Sequence, residues 1–230
     1  MKVKWIPQNE YASKFIDPPK PAKNYMPDWY KKLPPFSTGN RPRSFGKRTN
    51  TTAKYCMPLF DSFTTGYIQE TWCDMAVTRL DNEIQVSFAS PGDDLIVEGH
   101  DKNPIFPETG YYDKMLAWWT QWEPQTPKGW STLYTHPLNQ NNLPFYTMSG
   151  VIDTDRWPIG GKVQFYIKDG FEGIIPKGTP MYQMIFFKRE NWKSEVSQYD
   201  QDWLTKINKK VFDFFYSGYR NNIWVKKNYE

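Results

Sequence analysis

The sequence has few of the residues that build metal centres and disulfide scaffolds. Its 230 residues include two cysteines, Cys56 and Cys73, and two histidines, His100 and His136. These side chains do not form a zinc-binding motif, so no metal site is predicted. The two cysteines could form a disulfide or remain as thiols. We expect free, buried thiols in a reducing compartment.

Long apolar runs are also missing. No stretch approaches the roughly 18 consecutive apolar residues of a membrane span. The opening segment, MKVKWIPQNEYASKF, lacks the apolar centre of a signal peptide. We therefore expect a soluble, cytoplasmic protein with no membrane partner.

Neither sign of charge dominates, because 29 basic and 25 acidic residues give a formal net charge of +4. A balance this mild makes nucleic acid an unexpected partner for the chain as a whole. One local run is basic and contains no acid: Arg41, Arg43, Lys47, Arg48 and Lys54. It could contact phosphate or form a solvated loop, and we expect the solvated loop.

Aromatic residues are abundant and compensate for an apolar fraction of 39%. Eleven Trp, fifteen Tyr and fifteen Phe can bury a large area per residue, which is enough for a substantial core. We expect Trp118, Trp119 and Trp122 to pack in that core. An aromatic shelf for a ligand is the alternative.

Short alternating runs between turns predict a mainly β protein. The runs over residues 72–80 and EIQVSFAS alternate well and flank Asp81-Asn82, which predicts a β-hairpin. We expect an antiparallel double-sheet body over residues 51–192. An extended arm and the basic loop would precede it over 1–50, and a C-terminal helix and tail would follow over 193–230.

Helical signals lie near the two ends of the chain. Residues 24–33 are predicted to form one or two helical turns that begin near Pro27. A longer helix is predicted over residues 198–215, with Asp200 as its N-cap and Gly218 as its stop. Its predicted stripe, mostly apolar, consists of Trp203, Ile207, Lys210, Val211 and Phe214.

The stretch from Thr126 to Arg189 gathers polar side chains at its turns. Asp153 and Asp155 are two residues apart, so a regular strand would point both to one face. They are either a functional carboxylate pair or turn residues that bind backbone N–H groups. The same choice between a ligand site and a structural role is open for four more residues: His136, Asn139, Trp130 and Trp157.

Several segments between residues 51 and 192 resemble a family of phage and bacterial proteins of unestablished function. Members share a K-x-C-P-type segment, a G-W-S element followed by H-P-x-N, and a V-D-T-D element. Similar elements stand here in KYCMPLFDSFTTGY, PKGWSTLYTHPLN and GVIDTDRW, within residues 51–192. The resemblance implies a phage source, a phage assembly partner, and a location in the host cytoplasm or the virion.

The same stretch also resembles, more distantly, the dUTPase and dCTP deaminase superfamily of β-clip proteins. Gly150 to Arg156 is similar to the element G-[VI]-[IV]-D-x-D-Y, and Gly178 to Phe186 to G-x-x-[IAM]-x-Q-[LM]-[IV]-[FV]. Gly129-Trp130-Ser131-Thr132 is loosely similar to the phosphate-binding element G-R-S-S, and Gly66-Tyr67 to a Gly-Tyr-Asp-Leu element.

The superfamily resemblance implies roles for particular residues. Asp153 would activate water and contact the sugar, Ser131 would bind phosphate, and Gln183 would lie near the phosphates. Mg²⁺ would neutralise charge if the protein is an enzyme. The resemblance further implies a homo-oligomer, most commonly a trimer, and one concavity lined by these three side chains.

Three departures from the superfamily pattern favour a non-catalytic protein. Trp130 replaces the phosphate-binding arginine, and Arg156 replaces the sugar-discriminating tyrosine. A glycine-rich C-terminal element is absent from YSGYRNNIWVKKNYE. We expect a binding or assembly module on a dUTPase-like scaffold. The alternative is a divergent Mg²⁺-dependent deoxynucleoside triphosphate pyrophosphatase or nucleotide-binding protein that uses Asp153.

Overall fold

The computed structural model describes residues 1–45, 48–80, 83–88, 97–99, 110–212 and 216–230. His100 and the predicted turn at Asp81-Asn82 lie outside these ranges, as do Lys47 and Phe214. The chain divides into two compact units. Unit 1 comprises Met1–Ala22 and Gly66–Arg189, and unit 2 comprises Lys23–Thr65 and Glu190–Glu230. The boundaries expected at residues 50 and 192, between the arm, the β body and the C-terminal helix, stay a prediction.

The strands are short and most lie in unit 1. In chain order they are β1 Lys4–Pro7, β2 Lys20–Pro21, β3 Ser44–Phe45, β4 Arg48–Thr49, β5 Tyr67–Glu70, β6 Met75–Leu80, β7 Glu83–Phe88, β8 Val97–Gly99, β9 Leu116–Trp119, β10 Trp122–Gln125, β11 Trp130–Thr135, β12 Phe145–Thr147, β13 Gly150–Ile152, β14 Lys162–Ile167, β15 Gly173–Ile175 and β16 Pro180–Lys188.

The helices are fewer and lie mainly in unit 2. They are α1 Glu10–Phe15, α2 Asp28–Lys32, α3 Met57–Thr64, α4 Gln201–Phe212 and α5 Gly218–Asn222, with 3₁₀ helices at Ala22–Tyr25 and Ala53–Tyr55. In the described ranges, no helix combines the length and the apolar character needed to cross a membrane.

Antiparallel sheets make up unit 1. The largest has the strand order β13-β11-β16-β5-β2, and two others have the orders β12-β14-β9-β8 and β15-β6-β7. Strand β1 pairs with β10. These sheets and the C-terminal helix α4 confirm the mainly β, antiparallel fold class. The hairpin predicted on either side of residues 81–82 is confirmed, because β6 pairs with β7 in continuous register.

The core of unit 1 is aromatic, as its composition predicts. Trp118 is fully buried and stacks on Phe165, with ring centroids 3.7 Å apart and planes within 6° of parallel. Trp119 is only half-buried and lies beneath Lys162, whose Nζ is 4.7 Å from the ring centroid. Trp122 donates from Nε1 to the carbonyl of Ile16 at 3.0 Å. Core packing is therefore confirmed for Trp118, the most central of these rings.

The N-terminal arm is less extended than expected. WIP lies in strand β1, and Asn9 then caps α1 by accepting from the backbone N–H of Ala12 at 2.6 Å. The proline-rich segment DPPKPAK ends in a 3₁₀ helix that begins at Ala22. Its three prolines precede that helix, and none of them interrupts its hydrogen bonds.

Helix α3 in unit 2 was not expected from the sequence. Pro58 lies in its first turn, where a missing N–H leaves no hydrogen bond unmade. Helix α2 follows its N-cap Pro27, as predicted. Both cysteines are free, as expected, but only Cys73 is buried and Cys56 is exposed.

The C-terminal helix confirms one predicted signal and corrects two. Asp200 caps α4 by accepting from the backbone N–H of Trp203 at 2.8 Å. Trp203 is 58% exposed and Lys210 is also exposed, whereas Ile207 and Val211 are half-buried, so the predicted stripe describes the buried face only in part. Gly218 does not end α4 but begins α5, where a Cβ would lie 1.7 Å from the carbonyl oxygen of Val211. The glycine is needed for this close backbone approach.

Candidate functional site

Three chain segments meet at one edge of the largest sheet. Strand β11 begins at Trp130, which pairs with Lys188 at the end of β16. On its other side, Thr132 pairs with Ile152 at the end of β13. Because both neighbours run antiparallel to β11, their C-terminal ends lie beside its N-terminal end. The turns that carry Gly129, Asp153, Asp155 and Arg189 are thereby brought together.

Asp155 and Arg189 form a bidentate ion pair at this edge. Nη1 of Arg189 donates to Oδ1 of Asp155 at 2.8 Å, and Nη2 donates to Oδ2 at 2.6 Å. The backbone N–H of Gly129 donates to the same Oδ2 at 2.8 Å. The hydrogen bond from Arg189, reinforced by the Gly129 N–H, lowers the pKa of Asp155 to about 2. This carboxylate is therefore held ionised and fully engaged.

Asp153 joins the same guanidinium through its own oxygen and a serine. Oδ1 of Asp153 lies 3.0 Å from Nη1 of Arg189 and accepts from the Ser131 hydroxyl at 2.7 Å. Nη1 also donates to the Ser131 hydroxyl oxygen at 3.0 Å. Asp153 is 49% exposed at its side chain, whereas Asp155 is 5% exposed. We call Asp153, Asp155, Ser131 and Arg189 the clamp.

The two acids converge for a different reason from the one predicted. Strand β13 ends at Ile152, and Asp153 and Asp155 lie in the turn that follows. In this turn the carbonyl of Asp153 accepts from the backbone N–H groups of Arg156 and Trp157 at 2.8 and 2.9 Å. The expectation of one strand face was wrong, because the shared partner Arg189 brings the carboxylates together.

Thr132 takes part in a buried hydroxyl chain beside the clamp. Its hydroxyl lies 2.8 Å from that of Thr154, which lies 2.9 Å from that of Thr126. The Thr126 hydroxyl in turn donates to the carbonyl of Trp130 at 3.2 Å. Thr132 and Thr154 are fully buried, so their hydroxyls bind protein and not a solvent-side ligand.

Trp130 contributes its backbone to the clamp. Its carbonyl accepts from Nη1 of Arg189 at 3.0 Å as well as from Thr126. Trp157 is 56% exposed, in the turn beyond Asp155. Arg189 thus places a guanidinium near Trp130, and this guanidinium is already paired with two carboxylates.

Gln183 and His136 lie at a second turn, away from the clamp. Gln183 pairs with Thr135, four residues along β11 from Ser131, which at about 3.3 Å per residue is roughly 13 Å. Its Oε1 accepts from the backbone N–H of Leu138 at 2.9 Å. The structure therefore joins Ser131 to Asp153 but does not bring Gln183 to them.

His136 is buried among backbone partners of the same turn. Its Nδ1 accepts from the N–H of Thr147 at 3.2 Å, and its Nε2 lies 3.2 Å from the carbonyl of Gln140. Burial lowers the pKa of His136, which favours the neutral imidazole. Asn139 is exposed and adopts a positive φ of 60°, a conformation that asparagine tolerates in turns. Both residues have the structural role in this turn.

Glu123 is a buried acid that the sequence patterns did not identify. It is 1% exposed, and accepts from the Tyr134 hydroxyl at 2.5 Å, the Thr120 hydroxyl at 2.5 Å and the Gly161 N–H at 3.1 Å. Burial raises its pKa, and the hydrogen bonds oppose that shift. Alternation gave no signal for this burial, because it places Glu123 on the face opposite Trp122, which was expected in the core, whereas Glu123 and Pro124 are both buried.

The clamp does not fit the Mg²⁺ ion that the resemblance implies. Mg²⁺ favours carboxylate oxygens together with several waters. Here the guanidinium of Arg189 already binds both carboxylates, and a divalent cation at the same oxygens would be repelled by it. Over the described ranges, no three side chains of His, Cys, Asp or Glu are grouped to hold a metal.

No protein-family model matches the chain, and no curated protein matches it significantly. Function is therefore inferred from the geometry of the described residues.

Proposed function

We propose that the protein is a non-catalytic binding or assembly module of phage type, built on a dUTPase-like scaffold. The observation that carries this proposal is the engagement of Arg189 by Asp153 and Asp155 together. A catalytic carboxylate must accept a proton from water, and a phosphate site needs an available cation. In the clamp, the one guanidinium is shared by two carboxylates, so no cation is left for a phosphate.

The arrangement of the motif elements supports the scaffold. The elements around Ser131, Asp153 and Gln183 lie on the neighbouring strands β11, β13 and β16, or directly beside them. A scaffold of this kind tolerates the replacement of arginine by Trp130 when the site no longer binds triphosphate. Fold and activity are separable properties, because activity depends on particular side chains.

Exposed apolar side chains before α4 support an assembly role. Residues 190–200 have no regular structure, and Trp192 and Val196 are 86% and 97% exposed. Tyr199 and Trp203, which are 76% and 58% exposed, continue the series up to the first turn of α4. A large apolar surface left open in this way is typical of a segment that packs on another chain. We propose that the partner is a second copy of the chain, in a trimer if assembly follows the scaffold.

Catalysis is tested with Mg²⁺ and a panel of deoxynucleoside triphosphates, by measuring pyrophosphate release. We expect no release above the uncatalysed rate. Turnover that Asp153→Asn abolishes, with Arg156→Gln as the folded control, would contradict the non-catalytic function.

Assembly is tested by sedimentation equilibrium across a range of protein concentrations. We expect the wild-type chain to form an oligomer and the double variant Trp192→Ala/Val196→Ser to shift towards monomer. Trp157→Ala removes another exposed tryptophan, which lies in unit 1 and is 56% exposed, and should leave the mass unchanged. A wild-type chain that is monomeric at every concentration would overturn self-association.

The divergent pyrophosphatase is the second candidate, and one observation favours it. Half of the Asp153 side chain is open to solvent, although Asp155 beside it is enclosed. If Arg189 left Asp153 on substrate binding, this carboxylate would be free to orient water. The pyrophosphate assay distinguishes the two functions directly.

A further inference from the structure

Unit 2 contains a cleft that is separate from the clamp. Its volume is about 560 Å³, and its lining comes from residues near α2 and α3 together with the segment that follows α5. Sites for small molecules commonly measure about 300–1,000 Å³. The cleft is therefore large enough for a ligand of nucleotide size and is built entirely within one unit.

Every charged side chain on the cleft lining is basic. These side chains are Lys23, Lys54, Arg220, Lys226 and Lys227. Lys227 pairs with Asp61, and Lys54 donates to the carbonyl of Lys31 at 3.2 Å. Among the described residues, Lys23, Arg220 and Lys226 have no carboxylate partner. Three cations are thus directed to one concavity without matching anions.

Aromatic rings form the apolar part of the same cleft. Trp224 and Phe60 meet edge to face, with centroids 6.2 Å apart. Nε1 of Trp224 donates to both carboxylate oxygens of Asp61 at 3.1 and 3.0 Å, which fixes the indole. Tyr30 is 1% exposed and lies under the ammonium of Lys54, 4.5 Å from its ring centroid. The aromatic wall is therefore held in place before any ligand arrives.

We propose that this cleft binds a nucleoside phosphate. The aromatic wall suits a planar base, and the unmatched cations suit the phosphates, which carry several negative charges on one flexible chain. Single-stranded nucleic acid uses the same chemistry, but it is held along an extended groove with successive stacking rings. A cleft of this volume favours one nucleotide.

The proposal is tested by calorimetric titration of the full chain with ATP and dTTP. We expect one site per chain, with adenosine and tripolyphosphate each binding at least about tenfold more weakly than ATP, since each lacks one half of the interaction. No heat of binding would overturn the proposal. So would tripolyphosphate that binds as tightly as ATP, or an oligothymidylate that binds more tightly than dTTP.

Matched lysine variants place the binding in the cleft. Lys226→Gln and Lys23→Gln should each weaken ATP binding by about tenfold, because each removes a charge-assisted contact to phosphate. Lys209→Gln removes an exposed lysine of α4 that does not line the cleft, and affinity should not change. Equal affinity in all three variants would overturn the assignment.

Failure of this proposal is distinguishable from failure of the proposed function. Asp153→Asn should keep full ATP affinity, because Asp153 does not line the cleft. ATP binding that is lost in Asp153→Asn and kept in Lys226→Gln would overturn the cleft proposal and favour the pyrophosphatase.

Discussion

The clamp in unit 1 and the cleft in unit 2 both concentrate charge, but they treat it in opposite ways. In the clamp, two carboxylates and a serine hydroxyl surround one guanidinium. In the cleft, three basic side chains have no carboxylate partner among the described residues. Paired charges hold chain segments together, whereas unpaired like charges in a concavity gain from binding an anion. In the clamp, residue types typical of a catalytic site are thus engaged with one another.

The largest effects should come from glycines that allow close backbone approach in each unit. At Gly66 φ is +75° and a Cβ would lie 2.0 Å from the carbonyl oxygen of Met184. We expect Gly66→Ala to destabilise the protein by about 3 kcal/mol or more, because backbone strain and overlap combine. Denaturant unfolding measures this. Gly170→Ala is the control, since Gly170 also has positive φ but open space around it, and should cost about 1 kcal/mol.

Gly218→Ala should disrupt the cleft in unit 2. Its new Cβ would overlap the Val211 carbonyl, so α4 and α5 could not keep their contact. We expect ATP binding to be lost while the unit 1 sheets persist, as amide exchange of β11 and β16 would show. Intact ATP affinity in Gly218→Ala would contradict the dependence of the cleft on this helix pair.

Glu123 is a buried acid whose two oxygens both accept hydrogen bonds, and it can be compared with the clamp. Glu123→Leu leaves the donors of Tyr134, Thr120 and Gly161 without an acceptor, and should destabilise by about 3 kcal/mol. Glu123→Gln keeps one acceptor oxygen, and the Tyr134 hydroxyl can accept from its amide, so the loss should be below about 1 kcal/mol. Equal losses in both variants would show that shape and not hydrogen bonding matters here.

Ionisation of Glu123 should also make stability depend on pH. Its folded pKa is raised above the ordinary value of 4.5, so its contribution is fully present below that pH. The contribution is lost as pH rises through the folded pKa, because only the unfolded chain ionises freely. Glu123→Gln should remove this dependence in unfolding curves measured from pH 4 upwards.

Acid should weaken the clamp through Asp155 and the neighbouring turn through His136. The pKa of Asp155 is lowered from 3.8 to about 2, so its stabilisation is present above pH 3.8 and is lost as pH falls towards 2. The pKa of His136 is lowered from 6.5, so stability begins to fall as pH drops below that value. His136→Gln should remove the higher step and leave the lower one, in denaturant midpoints measured against pH.

Sequence reasoning recovered features that depend on local pattern. The hairpin of β6 and β7 follows from alternation, and the cap at Asp200 follows from a short polar side chain before a helix. Trp118 was expected in the core because a large aromatic side chain gains most from burial. These predictions need only the local pattern or the type of residue.

Features that depend on distant pairing were missed. Arg189 reaches Asp155 because β16 pairs with β11 in one particular register, and no local pattern gives that register. Lys23 and Trp224 meet at the cleft although about 200 residues separate them. Gly218 was predicted to end a helix because glycine is common there. Its observed role is a close contact with Val211 of α4, which sequence alone does not reveal.

The most direct test of the comparison measures unfolding and ATP binding in two variants, Arg189→Gln and Lys226→Gln. Arg189→Gln should lower the denaturant midpoint and keep ATP affinity, because it leaves the enclosed carboxylate of Asp155 unpaired. Lys226→Gln should keep the midpoint and lose about tenfold in ATP affinity. If Arg189→Gln instead loses ATP binding while stability holds, the clamp is the ligand site and the account is contradicted.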